Sequence, residues 1–295
     1  MRLLVLGANG LLGSNVVTAA SAQEHDVVGT YHSTEPDFDV PLEQLDITSS
    51  DDVRGLIDVV GPDAVVNCAA MTDVDGCESS PDQAFAVNAT APTLLADECH
   101  RREIQFTHVS TDYVFDGRGG APYDDTARPN PIQTYGRSKL LGERAVRGSA
   151  SRCLIPRLSF VWGVHAGSDE VSGFPRWVRD SLQSDDSVPL FTDQHVTPTR
   201  AGQAATVILD LIQSGTTGTF NVACRSCISP FEFGKAIERH IDDSSGEIRE
   251  SSMENGERPA PRPIETCLGV DRVEAIRGEP QPTFEEDVTA ISDYL

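Results

Sequence analysis

Apolar residues in this chain fall into short runs separated by longer stretches in which they recur every three or four positions. Leu3-Leu4-Val5-Leu6 is such a run, closed by Gly7, and Ala64–Cys68 is another. Unbroken apolar runs of this length suit strands buried on both faces, as in a parallel sheet. Asp26–Thr30 and Gln105–Ser110 read as further strands. Helical periodicity fills the intervals: about residues 11–22, Ser50 to Val60, roughly 82–101, and Thr134 to about Val146. Strands alternating with helices of ten or more residues predict the α/β class with a doubly wound parallel sheet.

After Ile155 the texture changes. Segments 163–194 and 228–283 are richer in Pro, Gly, Ser and charge, whereas Ala201–Ile212 reads as a helix and Gly218–Val222 as a strand able to rejoin the sheet. Two units are expected: a nucleotide-binding domain of residues 1–155 plus 195–227, and a smaller, discontinuous α/β lobe for the substrate, residues 156–194 plus 228–295. No internal repeat or low-complexity tract interrupts them.

Composition narrows the function. The 295 residues carry 46 acidic and 23 basic side chains, a net charge of −23, which excludes nucleic-acid binding through a broad basic surface. The acidic excess is spread along the chain, and only Lys139 and Lys235 are lysines. That pattern resembles proteins of salt-filled cytoplasm, where a Debye length of about 3 Å at molar salt mutes self-repulsion; an ordinary acidic cytosolic protein is the alternative. No stretch approaches the ~20 apolar residues of a membrane span, and no membrane partner is expected. The apolar N-terminus is broken at Gly7 too early for a signal peptide, so a cytoplasmic location is expected. Seven cysteines without framework spacing fit reduced thiols, and Cys224-Arg225-Ser226-Cys227 is a lone C-x-x-C to which no metal or redox role is assigned.

Candidate chemistry begins at Gly7-Ala8-Asn9-Gly10-Leu11-Leu12-Gly13, between the first strand and the first helix. Glycines there let the backbone turn tightly and approach a pyrophosphate at the helix N-terminus, as in a Rossmann-type nucleotide site; a tight turn without ligand is the alternative. The second strand ends at Thr30-Tyr31-His32-Ser33, where an NAD site usually presents a carboxylate to the ribose. None stands there, and His32 and Ser33 can donate hydrogen bonds, so NADP is favoured over NAD. Asp46-Ile47 is placed to contact the adenine, with a turn or helix-capping role for Asp46 as the rival reading.

Ser110-Thr111-Asp112 stands at the carboxyl end of a strand, where open α/β sheets bind ligands. Tyr135 and Lys139, four apart, share one helix face, where an ammonium can bias a phenol toward its anion. An ordinary surface pair has the same spacing. With Thr111 they form a set able to polarise a carbonyl and deliver a proton.

Gly7-x2-Gly10-x2-Gly13, Asn67-Cys68-Ala69-Ala70, Ser110-Thr111-Asp112 and Tyr135-x3-Lys139 together resemble the extended short-chain dehydrogenase/reductase family. Ser110 to Gly117, Val74-Asp75, Asp193 to Thr199 and Arg262-Pro263 are similar to its dTDP-4-dehydrorhamnose reductase branch. The resemblance implies an NADPH-dependent reductase of a nucleotide-activated 4-keto-6-deoxysugar, most simply dTDP-4-dehydro-L-rhamnose to dTDP-L-rhamnose. It implies Tyr135 as proton donor to the C4 oxygen, Lys139 as holder of the nicotinamide ribose that lowers the phenol's pKa, and Thr111 as a hydrogen bonder to the same oxygen. Gly10, Leu11 and Leu12 would meet the pyrophosphate, and Cys68, Ala69 and Ala70 would line the cofactor. Asp112 and Phe160 match sugar-contacting positions, with core packing the rival role for Phe160.

The chain departs from this pattern twice. Some members are magnesium-linked dimers through carboxylates, one of them two residues after the third glycine; here that residue is Asn15, so a homodimer is allowed but a metal-linked one is not expected. Ile264-Glu265-Thr266-Cys267 departs from the small polar residues usual after Arg-Pro, which bears on recognition of the nucleotide. Two other readings compete: an epimerase or dehydratase of the same family that retains its cofactor, and a non-catalytic regulatory subunit of methionine adenosyltransferase.

Overall fold

A computed structural model describes residues 1–149, 152–184, 186–241, 245–256 and 258–295. In chain order its first part comprises β1 (Arg2–Leu6), α1 (Leu11–Ala22), β2 (Asp26–Tyr31), β3 (Leu42–Gln44), α2 (Ser50–Val60), β4 (Ala64–Asn67), α3 (Val74–Ser79) and α4 (Pro81–Phe85). A π-helical turn, Ala86–Thr90, joins α4 to α5 (Ala91–Arg101). Then come β5 (Gln105–His108), β6 (Ser110–Thr111), α6 (Thr134–Ser149) and β7 (Cys153–Leu158). The remainder holds β8 (Val161–His165), β9 (Glu170–Ser172), α7 (Phe174–Gln183), β10 (Ser187–Phe191), β11 (Thr199–Arg200), α8 (Ala201–Gln213), β12 (Gly218–Asn221), α9 (Pro230–Glu238), β13 (Glu247–Ser251), α10 (Asp271–Arg277) and α11 (Phe284–Thr289).

The main sheet runs β12-β7-β5-β4-β1-β2-β3, with β6 also on β7, and every pairing is parallel. Period-two alternation explains why β1 is apolar throughout. Leu3 and Val5 face a core with Val16 and Val17 of α1 and Ile208 of α8, while Leu4 and Leu6 face Val53 and Ile57 of α2 and Leu95 of α5. The fold is thus the doubly wound, Rossmann-type sheet, and β12 rejoins it beside β7. That sheet strand β7 continues to Leu158, three residues beyond the change of texture at Ile155.

The other elements build two small sheets, β10-β13 and β11-β8-β9, around a separate aromatic core of Trp162, Phe233 and Phe284. The β8–β9 hairpin folds back onto α1: Asn15 Nδ2 donates to the Val164 carbonyl at 2.9 Å, and the Ala166 amide to Ser14 Oγ at 3.2 Å.

The cysteines differ from expectation. Cys227 and Cys267 are joined in a disulfide, with Cα atoms 5.5 Å apart, so the thiols are not all reduced. Cys224, the other half of C-x-x-C, is a buried free thiol facing the Ser226 carbonyl, and burial pushes it up to about 12. Distance in sequence concealed the pair, because 40 residues separate partners that folding brings together. Peptide mapping of unreduced, alkylated protein is expected to yield a Cys227–Cys267 cross-linked peptide with Cys224 alkylated; a free Cys267 would contradict the pairing.

Candidate active site

The glycine turn is set by close contact. Gly7 has φ +80°, and its amide donates to Thr30 Oγ1 at 3.3 Å. A Cβ at Gly13 would lie 2.1 Å from the Gly7 carbonyl oxygen, and one at Gly7 would lie 2.9 Å from the Ala69 amide nitrogen. The turn can therefore hold only glycine at both places. Gly10, Leu11, Leu12 and Gly13 line a cavity of about 440 Å³ at the start of α1. First-turn amides of a helix have no intrahelical acceptor and sit at the positive end of its dipole, so this edge suits the phosphates of a dinucleotide.

The facing wall carries Cys68, Ala70, Thr111, Tyr135, Lys139 and Phe160. Thr111, Tyr135 and Lys139 thus share one cavity with the glycine turn. Lys139 is buried, its Nζ donates to the Val109 carbonyl at 2.6 Å, and burial lowers its pKa to about 8 against the opposing pull of Glu143. Tyr135 behaves differently from expectation. Burial raises its phenol well above the usual 10, and the Thr111 hydroxyl opposes that shift. The phenol is a firmly protonated donor.

Two interactions missed in the sequence hold this wall. Glu143, wholly buried one turn beyond Lys139, accepts from Ser110 Oγ at 2.7 Å and from Arg157 Nε and Nη2 at 2.8 and 2.7 Å. It fixes α6 to β6 and β7. In the π-turn, Asn88 Oδ1 accepts the Met71 amide at 2.9 Å while Nδ2 donates to the Met71 carbonyl and to Ser138 Oγ, fixing the loop after β4 to α6. Only the spacing Lys139-x3-Glu143 on a buried helix face hinted at the first.

Other expected site residues are placed elsewhere. Thr30 is buried and spends its hydroxyl on Gly7. Asp46 takes the turn role: Oδ1 accepts from the Thr48 amide at 2.9 Å and Thr48 Oγ1 at 2.6 Å, which holds the carboxylate below its usual pKa. Ile47 is buried in the core. His32 is exposed, close enough to Asp46 to act on it, and its carbonyl accepts from Gln44 Nε2. The end of β2 is less free of acid than expected, since the Tyr31 hydroxyl reaches Glu35 at 3.4 Å. Asn9 does not line the cavity; its carbonyl lies 3.1 Å from His165 Nε2. Ala69 packs behind Gly7 and donates its amide to Asn67 Oδ1. Asn15, the position discussed for metal, ties α1 to β8.

Asp112 and Phe160 line the cavity, yet both carry structural duties. Phe160 stacks edge-on to Phe174 and Phe233, so its packing and cavity roles coexist, and its φ of +43° is rare for a bulky residue. Asp112 accepts from Thr111, Ser159 and Thr266 hydroxyls, and burial raises its pKa to about 6.

The RmlD substrate binding domain model matches residues 1–295. The chain belongs to the RmlD substrate binding domain family. It is 51% identical over 298 residues, 100% of this chain and 99% of the relative, to a probable low-salt glycan biosynthesis reductase, Agl14, of Haloferax volcanii. It is 35% identical to the dTDP-4-dehydrorhamnose reductase of Mycobacterium tuberculosis H37Rv, covering 90% of this chain and 84% of that one. Among solved structures, the dTDP-4-dehydrorhamnose reductase of Bacillus anthracis in complex with NADP superposes with TM-score 0.88 at 26% identity, covering 100% and 99% of the two chains. Within this RmlD family chain, no helix among the described residues is long and apolar enough to cross a membrane.

With only two lysines, selective ¹⁵N labelling of lysine leaves two ammonium groups to follow by NMR. The signal lost in Lys139→Met is expected to titrate near pH 8, and a midpoint at 10 or above would show that burial does not govern it. Breaking the Glu143 pair by Glu143→Ala leaves the buried Arg157 guanidinium without its carboxylate and is expected to cost about 3–5 kcal/mol in denaturant unfolding at high salt. Arg2→Ala, which removes a half-exposed pair with Asp26, should cost no more than about 1 kcal/mol.

Proposed function

We propose that this protein is an NADPH-dependent reductase of a nucleotide-activated 4-keto-6-deoxysugar, with dTDP-4-dehydro-L-rhamnose to dTDP-L-rhamnose as its simplest reaction. The observation that carries the reading is one cavity holding a glycine turn at a helix N-terminus opposite Thr111, Tyr135 and Lys139. The tight Gly7–Gly13 turn fits a dinucleotide pyrophosphate, and Gly10, Leu11 and Leu12 would hold it, with Cys68 and Ala70 along the sheet edge. When bound, the nicotinamide supplies hydride to the carbonyl carbon. Tyr135 O–H donates the proton to the carbonyl oxygen, which general acid catalysis requires of a group protonated at working pH. Lys139, its Nζ held by the Val109 carbonyl, presents an ammonium to the ribose hydroxyls.

The relatives support the substrate class. Members named dTDP-4-dehydrorhamnose reductase occur at 32% and 35% identity, and a probable dTDP-4,6-dihydroxy-2-methyloxan-3-one 4-ketoreductase of Streptomyces antibioticus at 32%. The name of the Haloferax relative supports a product destined for a glycan. NADPH is favoured by the NADP complex of the Bacillus anthracis member and by the lack of a carboxylate among residues 30–33. Cytoplasmic residence completes the reading, and any homodimer would form without a shared metal.

Purified protein in high salt is expected to oxidise NADPH when given a nucleotide 4-keto-6-deoxysugar, faster than it oxidises NADH. Tyr135→Phe should lower turnover by more than about a thousandfold while NADPH still binds. Isomerised or dehydrated sugar without net NADPH loss would establish the epimerase or dehydratase reading. Cofactor binding with no turnover of any nucleotide sugar would favour a regulatory subunit.

A further inference from the structure

Helix α6 begins without a cap of its own. The first amides of a helix have no intrahelical acceptor, and a Ser, Thr, Asp or Asn just before the first turn commonly supplies one. Here that place belongs to Gln133, whose carbonyl accepts the Arg137 amide at 3.0 Å. Its side chain is wholly buried, and neither Oε1 nor Nε2 has a hydrogen-bond partner among the described residues. The cap comes instead from α3, 56 residues earlier: the Thr134 amide donates to Glu78 Oε1 and the Thr134 hydroxyl to Glu78 Oε2, both at 2.7 Å. The amide bond holds the Glu78 carboxyl below its usual pKa, and a carboxylate at this end of α6 also meets the positive pole of the helix.

Two bonds to one carboxylate fix the rotation of the first turn, and the residue so bonded is the one before Tyr135. Glu78 is itself held in place. Its neighbour Cys77 donates through Sγ to the Met71 carbonyl at 3.6 Å, and Met71 is the residue clamped by Asn88. Asp75, one turn before Glu78, accepts the Ala260 amide at 3.0 Å and both ends of the Arg262 fork at 3.1 and 2.9 Å. Val74, at the start of α3, lines the cavity. The placement of Tyr135 is thereby tied to the cavity wall rather than to the loop that leads into its helix.

We propose that Glu78 is a positioning residue. By capping α6 from α3 it sets the first turn of the helix, and so the place of the Tyr135 hydroxyl, against the cavity. Glu78 acts through Thr134 and touches no reacting atom.

The kinetic arm of the test rests on the reductase reading; the spectroscopic arm does not. Glu78→Ala is expected to lower kcat about tenfold to a hundredfold, the scale of a misplacement near 1 Å, with KM for NADPH within about twofold of wild type. Glu78→Gln keeps one carbonyl acceptor for Thr134 and should lose less than about fivefold. In a Tyr135→Phe background, Glu78→Ala should cost the residual turnover less than about twofold, because no phenol is left to misplace. An equal loss in both backgrounds would show a merely structural role and overturn the proposal.

In ¹³C NMR of protein labelled at tyrosine Cζ, the Tyr135 signal is the one lost in Tyr135→Phe. Glu78→Ala should move that signal and leave the signal of Tyr294, identified in the same way, where it is; Glu78→Gln should leave both near their wild-type positions. An unmoved Tyr135 signal in Glu78→Ala overturns the proposal whether or not any keto-sugar is reduced. A moved signal in a protein whose wild type turns over no keto-sugar would support the role of Glu78 and count against the proposed substrate class.

Discussion

The candidate site depends on one buried carboxylate, Glu143. Its two oxygens take three hydrogen bonds, from Ser110 on β6 and from the fork of Arg157 on β7. Because Glu143 lies two turns from Tyr135 and one from Lys139 on α6, fastening it fixes the height and rotation of the helix against the strand that bears Thr111. A bidentate guanidinium–carboxylate pair resists both rotation and sliding, which a single hydrogen bond does not. Burial makes the pair costly to form but still more costly to split, so its value here is registration. The Asn88 clamp in the π-turn supports the same helix from its other side, at Ser138.

With position fixed, the cavity's low polarity determines protonation. Burial disfavours the charged form of every titratable group, so it raises Tyr135 and Asp112 and lowers Lys139. Tyr135 therefore keeps its phenol proton, as a proton donor must, although burial opposes the lowering expected from Lys139. A reductase needs this protonated form, since the tyrosine must give a proton to an alkoxide forming on the substrate.

The sheet was legible because a parallel strand buried on both faces has no polar alternation to blur it: α2 begins and ends at Ser50 and Val60 as the periodicity indicates, and α1 at 11 and 22. Thr111, Tyr135 and Lys139 were legible because local spacing places them at a strand end and on one helix face. What escaped notice depends on contacts across the chain. Thr30 and Asp46 looked like ligand contacts, but their side chains satisfy nearby backbone amides, a demand that motif spacing does not express. Thr266, Ser159 and the Cys227–Cys267 bond involve partners 40 or more residues apart, which periodicity cannot pair.

The scarcity of lysine is explained by the same contrast between surface and cavity. On the acidic surface, arginine forks serve carboxylates well: Glu98, nearly buried, is gripped by Arg54, Arg101 and Arg102 together. A guanidinium, planar and unable to lose its charge, brings more donors to such a cluster than an ammonium does. At position 139 the demand is reversed. The site admits one compact cation reaching a single carbonyl at 2.6 Å, and a flat five-donor fork there would leave buried N–H groups without acceptors. Arginine can therefore replace lysine across the surface of this chain, whereas the geometry at 139 keeps the lysine.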